Sequence, residues 1–155
     1  MTTLGNPKST ASIAGHPIHP MLIPFPIVFL VTALAADLVF RATDNVIWAT
    51  VAFWCLGAAI VTALVAALAG FADFFGDARI RNLSAAWQHM IGNLIVVVLA
   101  AINWYLRYRS GAVAGASWGL GISLVTVLLL VFNGWKGWDM VYRHHVGVSD
   151  TPLMK

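Results

Sequence analysis

A chain of 155 residues that is 60% hydrophobic and only 10% charged, with a mean hydropathy of +0.83, is one domain by length and too apolar for a soluble globule. Nine Lys and Arg outweigh six Asp, with no Glu, for a net charge of +3; in so apolar a chain this excess belongs to the flanks of membrane spans rather than to nucleic-acid binding. The single cysteine, Cys55, lies in an apolar run, which excludes a disulfide framework and a thiolate metal cluster.

The pattern predicts an all-α membrane protein: a four-transmembrane-helix bundle with both termini on the same side. Residues 1–15 read as a mobile N-terminal tail with little to bury, 16–149 as the transmembrane domain and 150–155 as a C-terminal tail. The first apolar run is too long for a signal-peptide core and is expected to remain as a helix. It opens on Gly15-His16-Pro17-Ile18-His19-Pro20, which sets two imidazoles at the membrane entrance, and runs from Pro20 to about Phe40. Pro24 and Pro26 are expected to loosen or kink its first turns, and Asp37 near its far end is expected to pair with Arg41.

After the polar turn at 41–45, a second span is expected from Val46 to Phe71, rich in Ala and Gly that permit close packing or self-association. The charged connection at 71–82 follows, with Asp77 and Arg81 spaced for an ion pair. Ser84 is the expected N-cap of a third span reaching Leu106. On a helical wheel that span carries one polar stripe through His89, Gly92, Asn93, Val96, Ala100 and Asn103, which should face the bundle. Ser110 to Ser117 reads as a loop, and a fourth span from about Trp118 to Val141 precedes Arg143-His144-His145. No nucleotide-binding glycine fingerprint, nucleophile elbow or convincing internal repeat stands out, and no catalytic constellation is evident.

Four spans gather the histidines. If the termini share side A, then His16 and His19 enter span one there, Asp73 follows the exit of span two, His89 lies a turn into span three and His144 follows span four. Side B has no histidine. Lys8, Arg79, Arg81, Lys136, Arg143 and Lys155 lie toward side A against Arg41, Arg107 and Arg109 toward side B, which predicts cytoplasmic termini.

Four segments in this order, Gly15 to Pro20, Gly70-Phe71-Ala72-Asp73, Trp87 to Asn93 and Gly134 to Val148, resemble a bacterial membrane family called domain of unknown function twenty-two thirty-one, over roughly residues 12 to 149. The resemblance implies a four-helix protein of the bacterial inner membrane with recurring positions at His16, His19, Asp73, His89 and His144. Such proteins are sometimes fused to Rieske or cytochrome c domains, which implies electron transfer and a redox partner. Where the family often shows Gly-Gly-acidic, this chain has Gly137-Trp138-Asp139, which puts close contact with a cofactor at the second position in doubt.

Three readings follow. The first is b-type haem for electron transfer, with His89 as one axial ligand and His19 or His144 as the other. The second is a divalent transition metal, zinc, copper or iron, held by His16, His19, His89 and His144 with Asp73, for sensing or transport. In the third, the histidines cap and pack helices in a structural or partner-binding subunit. Besides the bilayer, a homo-oligomer is compatible with the small-residue faces.

Overall fold

The computed structural model describes residues 5 to 150. Four helical spans cover Ile18–Thr43, Val46–Gly76, Ser84–Ser110 and Ala112–Arg143, each long and apolar enough to cross a membrane. Exposed apolar side chains such as Leu64, Leu68, Leu128 and Val131 form the outer surface, where lipid would cover them.

Residues Ser12–Ile13 (β1) and His16–Pro17 (β2) pair antiparallel around a turn in which Ala14 and Gly15 both have positive φ. The chain then enters α1 (Ile18–Leu22) and, after a break at Ile23, α2 (Pro24–Thr43). The break is the loosening expected of Pro24 and Pro26, which lack N–H groups. Ile23 and Ile27 nonetheless bond back to the His19 and Ile23 carbonyls, so the span stays continuous. Asp44 ends α2 in the left-handed region, and the Asn45 side chain accepts from the Ile47 N–H to start α3 (Val46–Gly76). At 1.5 Å per residue α3 is about 46 Å long, which exceeds a hydrocarbon core of about 30 Å and carries Asp73 past it. A short helix α4 (Ala78–Arg81) leads to α5 (Ser84–Ser110). The predicted loop at 110–117 is mostly helix: Gly111, at φ 87, makes the reversal alone, and its small neighbours begin α6 (Ala112–Trp138), which ends in a π-helical turn at Asp139–Arg143.

The helices pack as two hairpins, α2 on α3 and α5 on α6, related by an internal two-fold repeat that residue identities conceal. A shift of 70 residues carries the buried positions Pro26, Leu30, Ala33 and Asp37 onto Val96, Ala100, Asn103 and Arg107, also buried. A shift of 67 carries Ala49, Ala52, Leu56 and Ala59 onto Ala116, Gly119, Ser123 and Thr126, again all buried. At mid-height Leu30, Ala33, Leu56, Ala59, Val96 and Ala100 form the apolar core.

Toward side B, Asp37 and Arg107, equivalent under the repeat, meet in a buried ion pair of 2.8 Å. The predicted Asp37–Arg41 pair is absent among the described ion pairs, because Asp37 faces the bundle while Arg41 is exposed. Ser123 Oγ donates to the same Asp37 oxygen, Arg107 Nε donates to Asn103 Oδ1, and Asn103 Nδ2 donates to Ser123 Oγ and the Gly119 carbonyl. A Cβ on Gly119 would collide with the Arg107 guanidinium, and one on Gly115 would lie 2.8 Å from its Cα, so these glycines make the room for the arginine.

Side A is covered by the segment predicted to be a tail. From Gly5 to Pro17 it is a strap: Ser9 Oγ and the Ala11 N–H donate to Asp73 Oδ1, Thr10 to the Ala72 carbonyl, the Lys8 N–H to Asp77 Oδ2, and the Asn6 N–H to Asp150. Asp77 caps α4 and pairs with Arg79 at 2.6 Å. Arg81, its predicted partner, instead reaches the Phe74 and Phe75 carbonyls at the end of α3.

The bundle core predicts a double-mutant result. Arg107→Met strands the Asp37 carboxylate and should cost about 3–5 kcal/mol, while Asp37→Leu with Arg107→Met should recover most of it, read from reversible unfolding in detergent. At the strap, hydrogen bonding from Arg79, above all, holds the Asp77 carboxyl well below the usual carboxylate range. Its contribution is therefore full above about pH 4 and is lost as pH falls through the depressed folded value. Protection of the Lys8 amide against hydrogen exchange should fall in that acid window and be flat with pH in Asp77→Asn.

Candidate functional site

Two histidines meet at side A through the same local device used twice. His19, in α1, is half-buried, and its Nδ1 lies 2.9 Å from the Ala66 carbonyl of α3. Four residues on is Gly70, where a Cβ would lie 3.1 Å from the imidazole. His89, in α5, places its Nδ1 2.9 Å from the Asn133 carbonyl of α6, and four residues on is Gly137, where a Cβ would lie 3.2 Å from that ring. Each glycine lets an imidazole lie close against a helix surface. The two rings stand perpendicular, with centres 6.3 Å apart.

A carbonyl oxygen only accepts, so both Nδ1 atoms donate. The neutral rings are held as the tautomer that leaves Nε2 with a free lone pair. This is how metal-binding histidines are commonly oriented by their surroundings. Beside His89, Asn133 is 1% exposed and neither amide atom of its side chain has a hydrogen-bond partner. A Cβ on Gly92 would collide with its Oδ1, so a third glycine makes room for this amide. Asn93, on the predicted polar stripe, donates to the His89 carbonyl.

The other residues singled out from the sequence lie elsewhere. His16 is exposed, its Nδ1 3.0 Å from the Ala14 carbonyl within the hairpin turn. Asp73 holds the strap through Ser9 and Ala11. His144 is exposed after the π-helical turn, and its N–H donates to the Asp139 carbonyl. Among the described residues, no group of three or more His, Cys, Asp or Glu is arranged to hold a metal ion. Trp138 packs on Tyr142 with ring centres 5.3 Å apart, while Gly137 is the residue against His89.

Sequence reasoning missed Ala66, the placement of Asn133 beside His89, and the repeat. The available signal was spacing: 18 residues separate His19 from Asp37 and His89 from Arg107. The glycines are directly testable. Gly92→Ala should destabilise by about 1–3 kcal/mol through overpacking against Asn133. Gly70→Ala and Gly137→Ala should cost less but shift the His19 and His89 ring resonances respectively, each leaving the other little changed.

No curated protein and no solved structure matches the chain. A family described as "Predicted membrane protein (DUF2231)" matches residues 15–150, which holds all four spans, the His19–His89 pair and the Asp37–Arg107 pair. The chain belongs to this family of membrane proteins.

Proposed function

We propose that the protein is a membrane electron carrier that binds one b-type haem at side A through His19 and His89. The observation that carries this reading is the duplicated imidazole device: two half-buried rings, each locked by Nδ1 to a helix carbonyl, with centres 6.3 Å apart. Two imidazoles whose ring centres lie this close could both reach one ion placed between them at a metal–nitrogen distance of about 2.0 Å. A zinc site draws three or four ligands from protein, whereas haem brings four nitrogens of its own and asks for two. The described residues gather two imidazoles and no third ligand group, which favours haem over a protein-only metal site.

The protein's own contribution is to orient both rings and keep Nε2 free. Gly70 and Gly137 keep the ring surroundings thin, and the unpartnered Asn133 amide offers a donor and an acceptor beside His89. His19 and His89 would hold the haem, which when bound would supply a one-electron couple in surroundings of low polarity. Six Lys and Arg lie toward side A against three toward side B. The charge bias then favours cytoplasmic termini in a bacterial inner membrane, with a redox partner approaching from that side.

The test is the visible spectrum of the detergent-purified protein expressed with added haem precursor. A Soret band that sharpens and shifts on dithionite reduction is expected, lost in His19→Ala and His89→Ala and retained in His144→Ala. No Soret band in the wild type would overturn the reading. Stoichiometric zinc, copper or iron without haem, removed by the same two substitutions, would establish the metal alternative; neither ligand would leave a structural or partner-binding subunit.

A further inference from the structure

We propose that the opposite end of the bundle holds a phospholipid headgroup of the phosphoethanolamine class, in a cleft between α2 and α6. The cleft, of about 460 Å³, is lined by Asp37, Phe40, Arg41 and Asp44 on one wall and by residues including Ser117 and Leu120 on the other. The internal repeat supplies a comparison. Between α5 and α3, the equivalent pair of helices, Trp104 stacks on Phe53 and Tyr108 with ring centres 5.5 Å apart in each case. The positions equivalent to Trp104, Phe53 and Tyr108 are Leu34, Leu120 and Leu38. Three leucines, each smaller than the ring it stands in for, replace the aromatic stack. Of the three, Leu120 lines the cleft, and Phe40, Arg41 and Asp44 stand on its other wall.

The rim has two poles. α6 begins directly after Gly111 with no side-chain cap, so its first N–H groups, at Ala112 to Ala114, favour an anion, and Arg41 stands exposed across the cleft. Beside them is the C-terminal end of α2, whose carbonyls and the exposed Asp44 carboxylate favour a cation. Among the described residues, neither Arg41 nor Asp44 makes an ion pair. At the floor, Asp37 is 1% exposed, and its Oδ1 has no partner although Oδ2 accepts from Arg107 and Ser123. An occupant must bring a donor to that oxygen or trap a water above it.

Adjacent anion and cation sites call for a zwitterion. Above the Asp37 floor, where a trapped water would meet the free Oδ1, α2 offers going outward the apolar Phe40, with Leu120 on the other wall, then Arg41, then Asp44 at the helix end. A bilayer phospholipid presents acyl chain, phosphate and ammonium in that order. The lipid source is favoured because exposed Leu38 and Trp118 flank the cleft and would lie against bilayer. Phosphate would rest on Arg41 and the α6 amides, and the primary ammonium on Asp44.

Native mass spectrometry and thermal unfolding of the purified full chain, relipidated with phosphatidylethanolamine, phosphatidylcholine or phosphatidylglycerol, test the assignment. One retained phosphatidylethanolamine and a higher Tm than with either other lipid are expected. Phosphatidylcholine has no N–H to give Asp44, and phosphatidylglycerol has no cation. Arg41→Gln should weaken retention by about tenfold, the loss of one charge-assisted contact. Asp44→Asn should abolish the preference over phosphatidylcholine, and Ser117→Leu should block the cleft. Equal stabilisation by all three lipids, retention unchanged in Arg41→Gln and Ser117→Leu, or full stabilisation by free phosphoethanolamine without a lipid chain would overturn the proposal. Because the haem spectrum is read at the other end of the bundle, it should be unchanged in all three variants.

Discussion

A carboxylate and a guanidinium facing each other inside an apolar bundle impose the tightest condition on this structure. Neither Asp37 nor Arg107 can be left alone in a lipid-surrounded core, because an uncompensated charge there costs a large share of a typical fold's stability. The pair therefore fixes how the two hairpins dock: α2 must bring Asp37 to the height of Arg107, and α6 must bring Ser123 to the same place. The arginine fits because Gly115 and Gly119 remove the side chains that would collide with it. Part of the small-residue face of the fourth span is thus used within the chain.

The pair also lies where the internal repeat brings equivalent positions into contact. Residues on such an axis meet their own counterparts, so identical charges there would repel. One hairpin carries Asp and the other Arg, and the repeat is complementary at side B. Imidazoles escape this rule because two neutral rings can face one another, and at side A the repeat keeps the same residue in both halves, His19 and His89. The two polar contacts are separated by the apolar layer of Leu30, Leu56 and Val96 with their neighbours. That layer keeps the ends apart, His89 and Arg107 being 18 residues, or about 27 Å, from each other along α5, and each end has its own chemistry.

The repeat departs from symmetry away from the axis. Trp104 stacks on Phe53 and Tyr108 between α3 and α5, while the equivalent positions between α2 and α6 hold Leu34, Leu120 and Leu38, and a cleft opens beside Leu120. At side A, the strap is held to the bundle end through Asp73 and Asp77: Asp73, a candidate metal ligand in the sequence, accepts from Ser9 and the Ala11 N–H, and Asp77 accepts from the Lys8 N–H. Hydrogen bonds of this kind are strongest where the surroundings exclude water.

Much of the architecture was legible in the residues. Four apolar runs of spanning length, separated by short polar turns, dictate a bundle because only a helix satisfies every backbone group within one segment in lipid. An even number of spans then brings the histidines to one end whatever the packing. The polar stripe of the third span was readable as well, since 3.6-residue periodicity aligns His89 with Asn103. What periodicity could not supply is which stripe meets which. Asp37 with Arg41, and Asp77 with Arg81, satisfied the local spacing rule, yet long-range packing turned Asp37 inward to Arg107, and the cap of a short helix gave Asp77 to Arg79. Likewise His16, Asp73 and His144 shared an end of the bundle with His19 and His89 without sharing a site. Membership of an end follows from chain topology alone, whereas contact at the 6.3 Å scale depends on helix rotation, and rotation was decided by the buried ion pair and the glycines that let helices close around it.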